Sequence, residues 1–326
     1  REDAQKALSH LVAVDFAHRQ SLFDDMAFLL QPAGHILGAS IVELLVEGRT
    51  IVFSGDLGRP HDPLLVAPAV PRHADHLLVE STYGDRLHGN SDIRTVLADI
   101  VIRTVERGGS VLVPAFAVGR TQMLLFHLQQ LKHAGSIPDV PVFLDSPMAI
   151  NASELLCEHL SEHRLTAVQC HATCNVARYL RSADESKSLN ENHVPSIIVS
   201  ASGMATGGRV LHHLKRMAPD PRNTVLFTGY QAGGTRGAKM LAGAATVKIH
   251  GEHIPVRAEV RDLSMLSAHA DADEIMDWLR SFPHAPRMTF VTHGEPAAAD
   301  TLRQRIEDEL GWPCLVPDYR DSIGLD

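Results

Sequence analysis

Short runs of Val, Ile, Leu and Phe alternate with stretches of helical periodicity along most of the chain, and turn residues mark each change. Residues 27–31, 40–46, 50–53 and 76–79 read as strands, bounded by Gly34, Gly48 and Gly55. Ile93, Val96, Leu97, Ile100 and Val101 then recur at helical spacing after Ser91, and Gly108-Gly109 ends that helix. A strand at 111–113, a helix at 121–133, a strand at 141–144 and a helix from Pro147 follow. Proline suits a first helical turn, where its missing N–H has no partner to lose. The polar stretch 181–193 reads as a loop. Next come a strand at 196–200, a glycine-containing turn at 202–208, a helix at 209–217 and a strand at 224–228. Residues 247–250 and 255–260 read as a hairpin around Gly251-Glu252. The chain closes with a helix at 272–279, a strand at 288–292, a helix at 297–310 and a strand at 314–316. This alternation predicts α/β layers. The block from Asn90 to about Gly243 forms a self-contained βαβ run, and the flanking segments hold shorter, more closely spaced strands.

Composition narrows the class. With 326 residues, 44% of them apolar, the chain can bury a sizeable core as one large domain or two ordinary ones. A charged fraction of 21% excludes a disordered chain. No apolar run approaches the roughly 18 residues a spanning helix needs, so no membrane partner is expected. Four cysteines (Cys157, Cys170, Cys174, Cys314) are too few for a disulfide scaffold. Cys170 and Cys174 enclose His171, but no second ligand pair completes a structural zinc site. The expectation is reduced thiols in a cytoplasmic protein. The net charge of -9 argues against a broad positive surface for nucleic acid, whereas 20 histidines exceed what folding alone requires. The chain starts at Arg1 with no secretory n-region or h-region, which leads us to expect a cut beginning.

The candidate chemistry is positional. Five acids or histidines follow directly on strands or tight turns: His35 in Pro32-Ala33-Gly34-His35, Asp56 in Ser54-Gly55-Asp56-Leu57-Gly58, Glu80 in Glu80-Ser81-Thr82-Tyr83-Gly84, His269 in Ser267-Ala268-His269-Ala270-Asp271, and His293 in Thr292-His293-Gly294-Glu295. Strand ends of layered α/β folds converge on one edge, where ligand and metal sites form. Any one of these residues also fits a bland role, such as a turn former at Asp56 or a loop cap at Glu80. Together, imidazoles and carboxylates suit zinc, and a bridging Asp suits two zincs. Arg120, Arg209, Arg236 and Lys239 lie in glycine-containing turns or at helix starts, where N–H groups and cations favour phosphate. With Ser202 and Ser267 they are the candidate phosphate- and RNA-binding positions. Each basic residue also fits a solvated surface charge.

The order of these motifs resembles the β-CASP branch of the metallo-β-lactamase superfamily, which includes prokaryotic RNA-processing nucleases and the endonuclease subunit of the cleavage and polyadenylation factor. Pro114-Ala115-Phe116-Ala117-Val118-Gly119-Arg120, Ser202-Gly203-Met204-Ala205-Thr206-Gly207-Gly208-Arg209 and Thr228-Gly229-Tyr230-Gln231-Ala232-Gly233-Gly234-Thr235-Arg236-Gly237 extend the resemblance over nearly the whole chain. It implies an α/β fold: a metallo-β-lactamase αββα sandwich, N-terminally incomplete, formed by residues 1–84 and 264–326. An inserted β-CASP α/β domain at 85–263 would roof its active site. It further implies that His35 ligates one zinc and His293 the other while Asp56 bridges them. Glu80 and His269 would pair near the leaving oxygen, making Asp56, Glu80 and His269 the catalytic set. His at position 293 matches RNA-acting members, where DNA-acting relatives of the Artemis type carry Val. The implied activity is zinc-dependent hydrolysis of single-stranded RNA, with the negative net charge limiting RNA contact to a local basic cleft.

The family's His-x-His-x-Asp-His signature does not occur in the sequence. Each metal is then left one His and the shared Asp56, short of the three protein ligands a catalytic zinc uses. The expectation is a truncated, inactive chain with zinc weak or absent, derived from an intact two-zinc ribonuclease. A non-catalytic RNA-binding or assembly subunit is the alternative, against which stands the presence of all five strand-end residues. A homodimer is left open.

Overall fold

The computed structural model describes residues 2–89, 91–191 and 194–325. Arg1, Asn90 and His193, the chain start and two bounds assigned from sequence, lie outside the described residues. The strands run β1 (Gln20–Phe23), β2 (Met26–Pro32), β3 (Ser40–Val46), β4 (Arg49–Phe53), β5 (His76–Glu80), β6 (Val111–Pro114), β7 (Val142–Asp145), β8 (Arg178–Tyr179) and β9 (Ile197–Ser200). They continue as β10 (Thr224–Phe227), β11 (Thr246–Ile249), β12 (Glu252–Pro255), β13 (Glu259–Asp262), β14 (Met288–Thr292) and β15 (Cys314–Leu315). The helices are α1 (Glu2–Leu8), α2 (Ile93–Glu106), α3 (Arg120–His133), α4 (Pro147–Glu158) and α5 (Ala167–Asn175), then α6 (Ala183–Ser188), α7 (Val210–Met217), α8 (Arg236–Leu241), α9 (Ala272–Arg280) and α10 (Pro296–Arg305).

Two compact units result. One takes the chain up to Asp62, Val66–Leu87 and the chain from His269 onward; the other takes Pro63–Leu65 and His88–Ala268. The first is built on a sheet of order β1-β2-β3-β4-β5-β14-β15, antiparallel from β1 to β4 and parallel from β4 to β15. Its core forms where the apolar stripe of α9 (Ile275, Met276, Leu279), spaced for one helical face, meets Val52, Leu77, Val79 and Val291. Alternation along the strands puts Phe28, Leu44 and Ile51 in one cross-strand row of the opposite face, and Leu30, Val42 and Phe53 in the next. Of these six, Ile51 is buried and the others are only partly so, and the edge strand β1 leaves Phe23 71% exposed.

The second unit holds a wholly parallel sheet of order β13-β10-β6-β9-β7-β8 and the separate antiparallel pair β11-β12. Its central strands are buried throughout, as the continuous apolar runs at Val111–Pro114 and Ile197–Ser200 require. Three expectations are corrected. The polar stretch 181–193 contains α6, because Ser182 and Glu185 form a reciprocal capping box that starts a helix in an otherwise exposed segment. The anticipated second hairpin arm splits: Glu252–Pro255 pairs antiparallel with β11, while Glu259–Asp262 lies parallel to β10 at the sheet edge. The thiols are not all reduced. Packing of α4 against α5 joins Cys157 to Cys170 in a disulfide, with Cys174 Sγ 3.5 Å from Cys157 Sγ.

His127, on the buried side of α3, has no hydrogen-bond partner for either ring nitrogen among the described residues. Burial, reinforced by Arg94 and opposed by Asp92, pushes its pKa down to about 4 from an ordinary 6.5. Below pH 6.5 the unfolded chain takes up a proton that the folded one refuses. Stability therefore falls as pH drops, by about 1.4 kcal/mol per unit and about 3 kcal/mol in all by pH 4. Urea unfolding across pH 4–7 is expected to show this slope reduced in His127→Leu; an unaltered slope would refute the assignment.

Candidate metal and phosphodiester site

In the first unit, the five strand-end residues come together. His35 stands in the turn after β2, on backbone that Gly58 closely approaches. The Gly58 N–H donates to the Ala33 carbonyl at 2.7 Å, and a Cβ at position 58 would collide with the Gly34 carbonyl. Only glycine fits that approach. Asp56 follows β4 and presents a different oxygen to each of two imidazoles: Oδ2 lies 3.6 Å from His35 Nε2 and Oδ1 lies 3.3 Å from His293 Nδ1. His293 itself sits at φ +55°, a left-handed conformation uncommon for a residue other than glycine, at the end of β14.

Glu80 ends β5 and is 1% exposed. Its carboxylate accepts from Leu57 N–H at 2.6 Å and from Thr82 N–H at 3.3 Å, so the anion is held by backbone as well as by side chain. His269 Nδ1 lies 3.0 and 3.1 Å from the two Glu80 oxygens. A carboxylate only accepts, so Nδ1 carries the proton. The His269 ring lies 4.3 Å from that of His35, tilted 48° to it, and the backbone at 269 bridges to Gly58. Position 269 is held in place by Ala270 N–H donating to Leu57 O and by the Asp271–Glu274 capping box of α9.

Two contributors escaped the sequence reading. Thr82 Oγ1 donates to the His293 carbonyl at 3.1 Å and lies 3.3 Å from His293 Nδ1, while Ser54 Oγ accepts the Glu80 N–H at 3.1 Å. Both residues stand inside the quoted motifs, but their partners are more than 20 residues away. No local pattern carries that signal.

Imidazole and carboxylate are donor types that zinc takes, and ligand atoms of His35, Asp56 and His269 all lie within 4.8 Å of one another.

The second unit holds the remaining candidates, in separate turns. Arg120 is buried and donates to the Leu266 carbonyl. Ser202 Oγ accepts from Thr206 and Gly207 N–H at 3.1 and 3.2 Å and so shapes its own glycine-containing turn. Arg209 donates to Asp145 Oδ1 at 2.7 Å and to the Leu180 and Arg181 carbonyls at 3.0 Å. Arg236 donates to the Lys248 carbonyl from two nitrogens, at 2.9 and 2.6 Å, and also to the Ala205 carbonyl. Ser267 is buried.

Comparison with known proteins matches two families. The Beta-Casp domain covers residues 121–240, and the Zn-dependent metallo-hydrolase RNA specificity domain covers 253–317. Ribonuclease TTHA0252 of Thermus thermophilus is 39% identical over 90% of this chain and 68% of its own length. An RNase J-like protein of Methanocaldococcus jannaschii is 31% identical over 97% of this chain and 75% of its length. Transcription termination factor FttA of Pyrococcus abyssi is 30% identical over 99% of this chain but only 52% of its length, so the chain spans about half of that relative. A protein of unknown function from Enterococcus faecalis shares the fold at a TM-score of 0.51 with 11% identity, over 95% of this chain and 66% of its own. The fold is thus of metallo-β-lactamase type with an inserted β-CASP domain, and the chain belongs to the β-CASP family of RNA-processing metallo-hydrolases.

Proposed function

We propose that this site serves zinc-dependent hydrolysis of phosphodiester bonds in single-stranded RNA, in a cytoplasmic setting. The observation that carries the reading is Asp56, one oxygen toward His35 and the other toward His293, as a carboxylate shared by two metal ions would stand. His35 and Asp56 would hold one zinc, Asp56 and His293 the other. Zinc supplies Lewis acidity and a source of hydroxide near neutral pH when bound.

The chain's own groups do the rest. Glu80 fixes the ring and tautomer of His269. Nε2 of His269 then contacts the scissile phosphate or gives its proton to the departing ribose oxygen. Thr82 holds the His293 backbone, and Ser54 holds Glu80. We assign Ser202 and Ser267 to phosphate contact. Arg120, Arg209 and Arg236 serve as positioning residues, since each guanidinium donates to backbone carbonyl oxygens.

The test is cleavage of single-stranded RNA, with zinc, by the full-length product of the reading frame that encodes this chain. Cleavage abolished by Asp56→Ala is expected. No cleavage, or cleavage indifferent to Asp56→Ala, would sink the reading. For the chain of 326 residues alone, one His per metal beside the shared Asp56 should hold zinc weakly. Elemental analysis is expected to find well under two zincs per chain, and two tightly held ions would show that the ligand set is misjudged. The same short ligand set favours a second reading, a non-catalytic RNA-binding or assembly subunit. It would be adopted if the full-length product binds RNA but never cleaves it.

A further inference from the structure

Although the chain carries 39 acidic residues against 30 Lys and Arg, one cleft of the second unit is lined without a carboxylate. The cleft measures about 670 Å³, and among its eleven described lining residues are Arg236, Lys239, Lys248, His250 and His253. The β11–β12 hairpin forms one wall. Its register sets Lys248 directly opposite His253 on the exposed face while Val247 and Ile254 turn inward. His250 and Gly251 make the turn with positive φ, and the His250 ring lies 5.0 Å from that of His212.

The walls are tied together. The Arg236 guanidinium, at the start of α8, donates to the Lys248 carbonyl of the hairpin and to the Ala205 carbonyl of the turn after β9. Spent on carbonyls, it serves as a clamp, and the ammonium groups of Lys239 and Lys248 are left to meet a ligand. Glu252, the acid next to the cleft in sequence, is ion-paired with Lys215 at 2.5 Å. A concave surface of one sign in a chain of net charge -9 concentrates the opposite ion.

We propose that this cleft binds the phosphodiester backbone of single-stranded RNA, and that Lys239 and Lys248 each neutralise a phosphate there. The proposal rests on the reading that RNA is the substrate. It adds an anchoring site built wholly from the second unit, made of residues outside the candidate metal set.

The experiment measures binding of a fluorescein-labelled oligouridylate by anisotropy, in EDTA so that no cleavage occurs, over a range of salt concentrations. Two phosphate contacts on a single strand contribute about 1.4 to the slope of log K against log salt. Lys239→Gln/Lys248→Gln is expected to lower the slope by that amount. Lys239→Arg/Lys248→Arg should keep it, as should Lys187→Gln, an exposed lysine elsewhere on the unit. Matching circular dichroism establishes that the double variant is folded. An unchanged slope overturns the proposal. So does a cleft that pyrophosphate or ATP occupies while oligouridylate binding stays independent of both lysines; that result would assign it to small phosphates. An unchanged slope beside intact zinc-dependent cleavage removes the cleft and leaves the cleavage reading standing. A lysine-dependent slope in a protein that never cleaves RNA does the reverse.

Discussion

Replacing Asp145 with Ala is expected to lower the stability of the second unit by about 3 kcal/mol, the low end of the cost of taking one partner out of a buried charge network. Asp145 ends β7 with no exposed surface and accepts three side-chain hydrogen bonds: from His213 Nε2 at 2.6 Å, Ser186 Oγ at 2.6 Å and Arg209 Nη1 at 2.7 Å. Its backbone carbonyl accepts a fourth, from Ser200 Oγ. Burial alone would push the carboxyl up. The bonds from His213, Ser186 and Arg209 outweigh it and hold the group below the ordinary carboxylate range. The anion is thus the form that the fold requires.

Removing it takes the counter-charge from Arg209, which is 23% exposed and keeps the Leu180 and Arg181 carbonyls, and takes the acceptor from the imidazole of His213, which at 2% cannot recruit water. That difference argues for the low end of the range. Against a typical total of about 5–15 kcal/mol the loss is large. It should appear as an early unfolding transition in urea. Because the folded-state pKa is depressed, the stabilisation is complete above the ordinary carboxylate pKa near 4 and is lost as pH falls through the lower folded value. Asp145→Asn should flatten that acid limb. A shift below about 1 kcal/mol in Asp145→Ala would mean the network contributes no more than an ordinary hydrogen bond.

This network also marks where the sequence stops being informative. Strands such as β3 and β14 were legible to the residue, because apolar runs bounded by glycine or polar residues leave few alternatives. Their polar ends were legible for the same reason, and His35, Asp56, Glu80, His269 and His293 do converge in the first unit. The helix α6 was not. Its composition is that of a loop, and it forms because Ser182 and Glu185 cap each other while Ser186 reaches a buried carboxylate 41 residues earlier. The hairpin arm failed differently: residues 252–262 hold two strand-forming pieces, and nothing local says that the second joins another sheet. Long side chains are the hardest case. Arg209 and Arg236 stand at helix starts, but where a guanidinium ends depends on carbonyls such as Leu180 and Lys248, which only the fold supplies.

Glu80→Gln in the full-length protein is expected to cut the rate of RNA cleavage by about 10²–10³-fold, within the range for losing a positioned acid–base group, while leaving bound zinc unchanged. The carboxylate does two jobs that an amide cannot do together. It accepts from Leu57 N–H and His269 Nδ1–H at Oε1, and from His269 Nδ1–H and Thr82 N–H at Oε2. A glutamine keeps one acceptor oxygen and sets its NH₂ group, a donor, against the N–H groups at the other position. Either His269 and the Thr82 amide face a donor, or His269 and the buried Leu57 amide do. His269→Ala should cost a comparable factor. Since Glu80 acts through His269, the double variant should be little slower than either single one, a strong departure from additivity. Additive losses would mean that Glu80 works independently of the imidazole. A proportional loss of zinc in Glu80→Gln would instead make it part of the metal shell, and the division between Asp56 as shared ligand and Glu80 as positioning residue would fall.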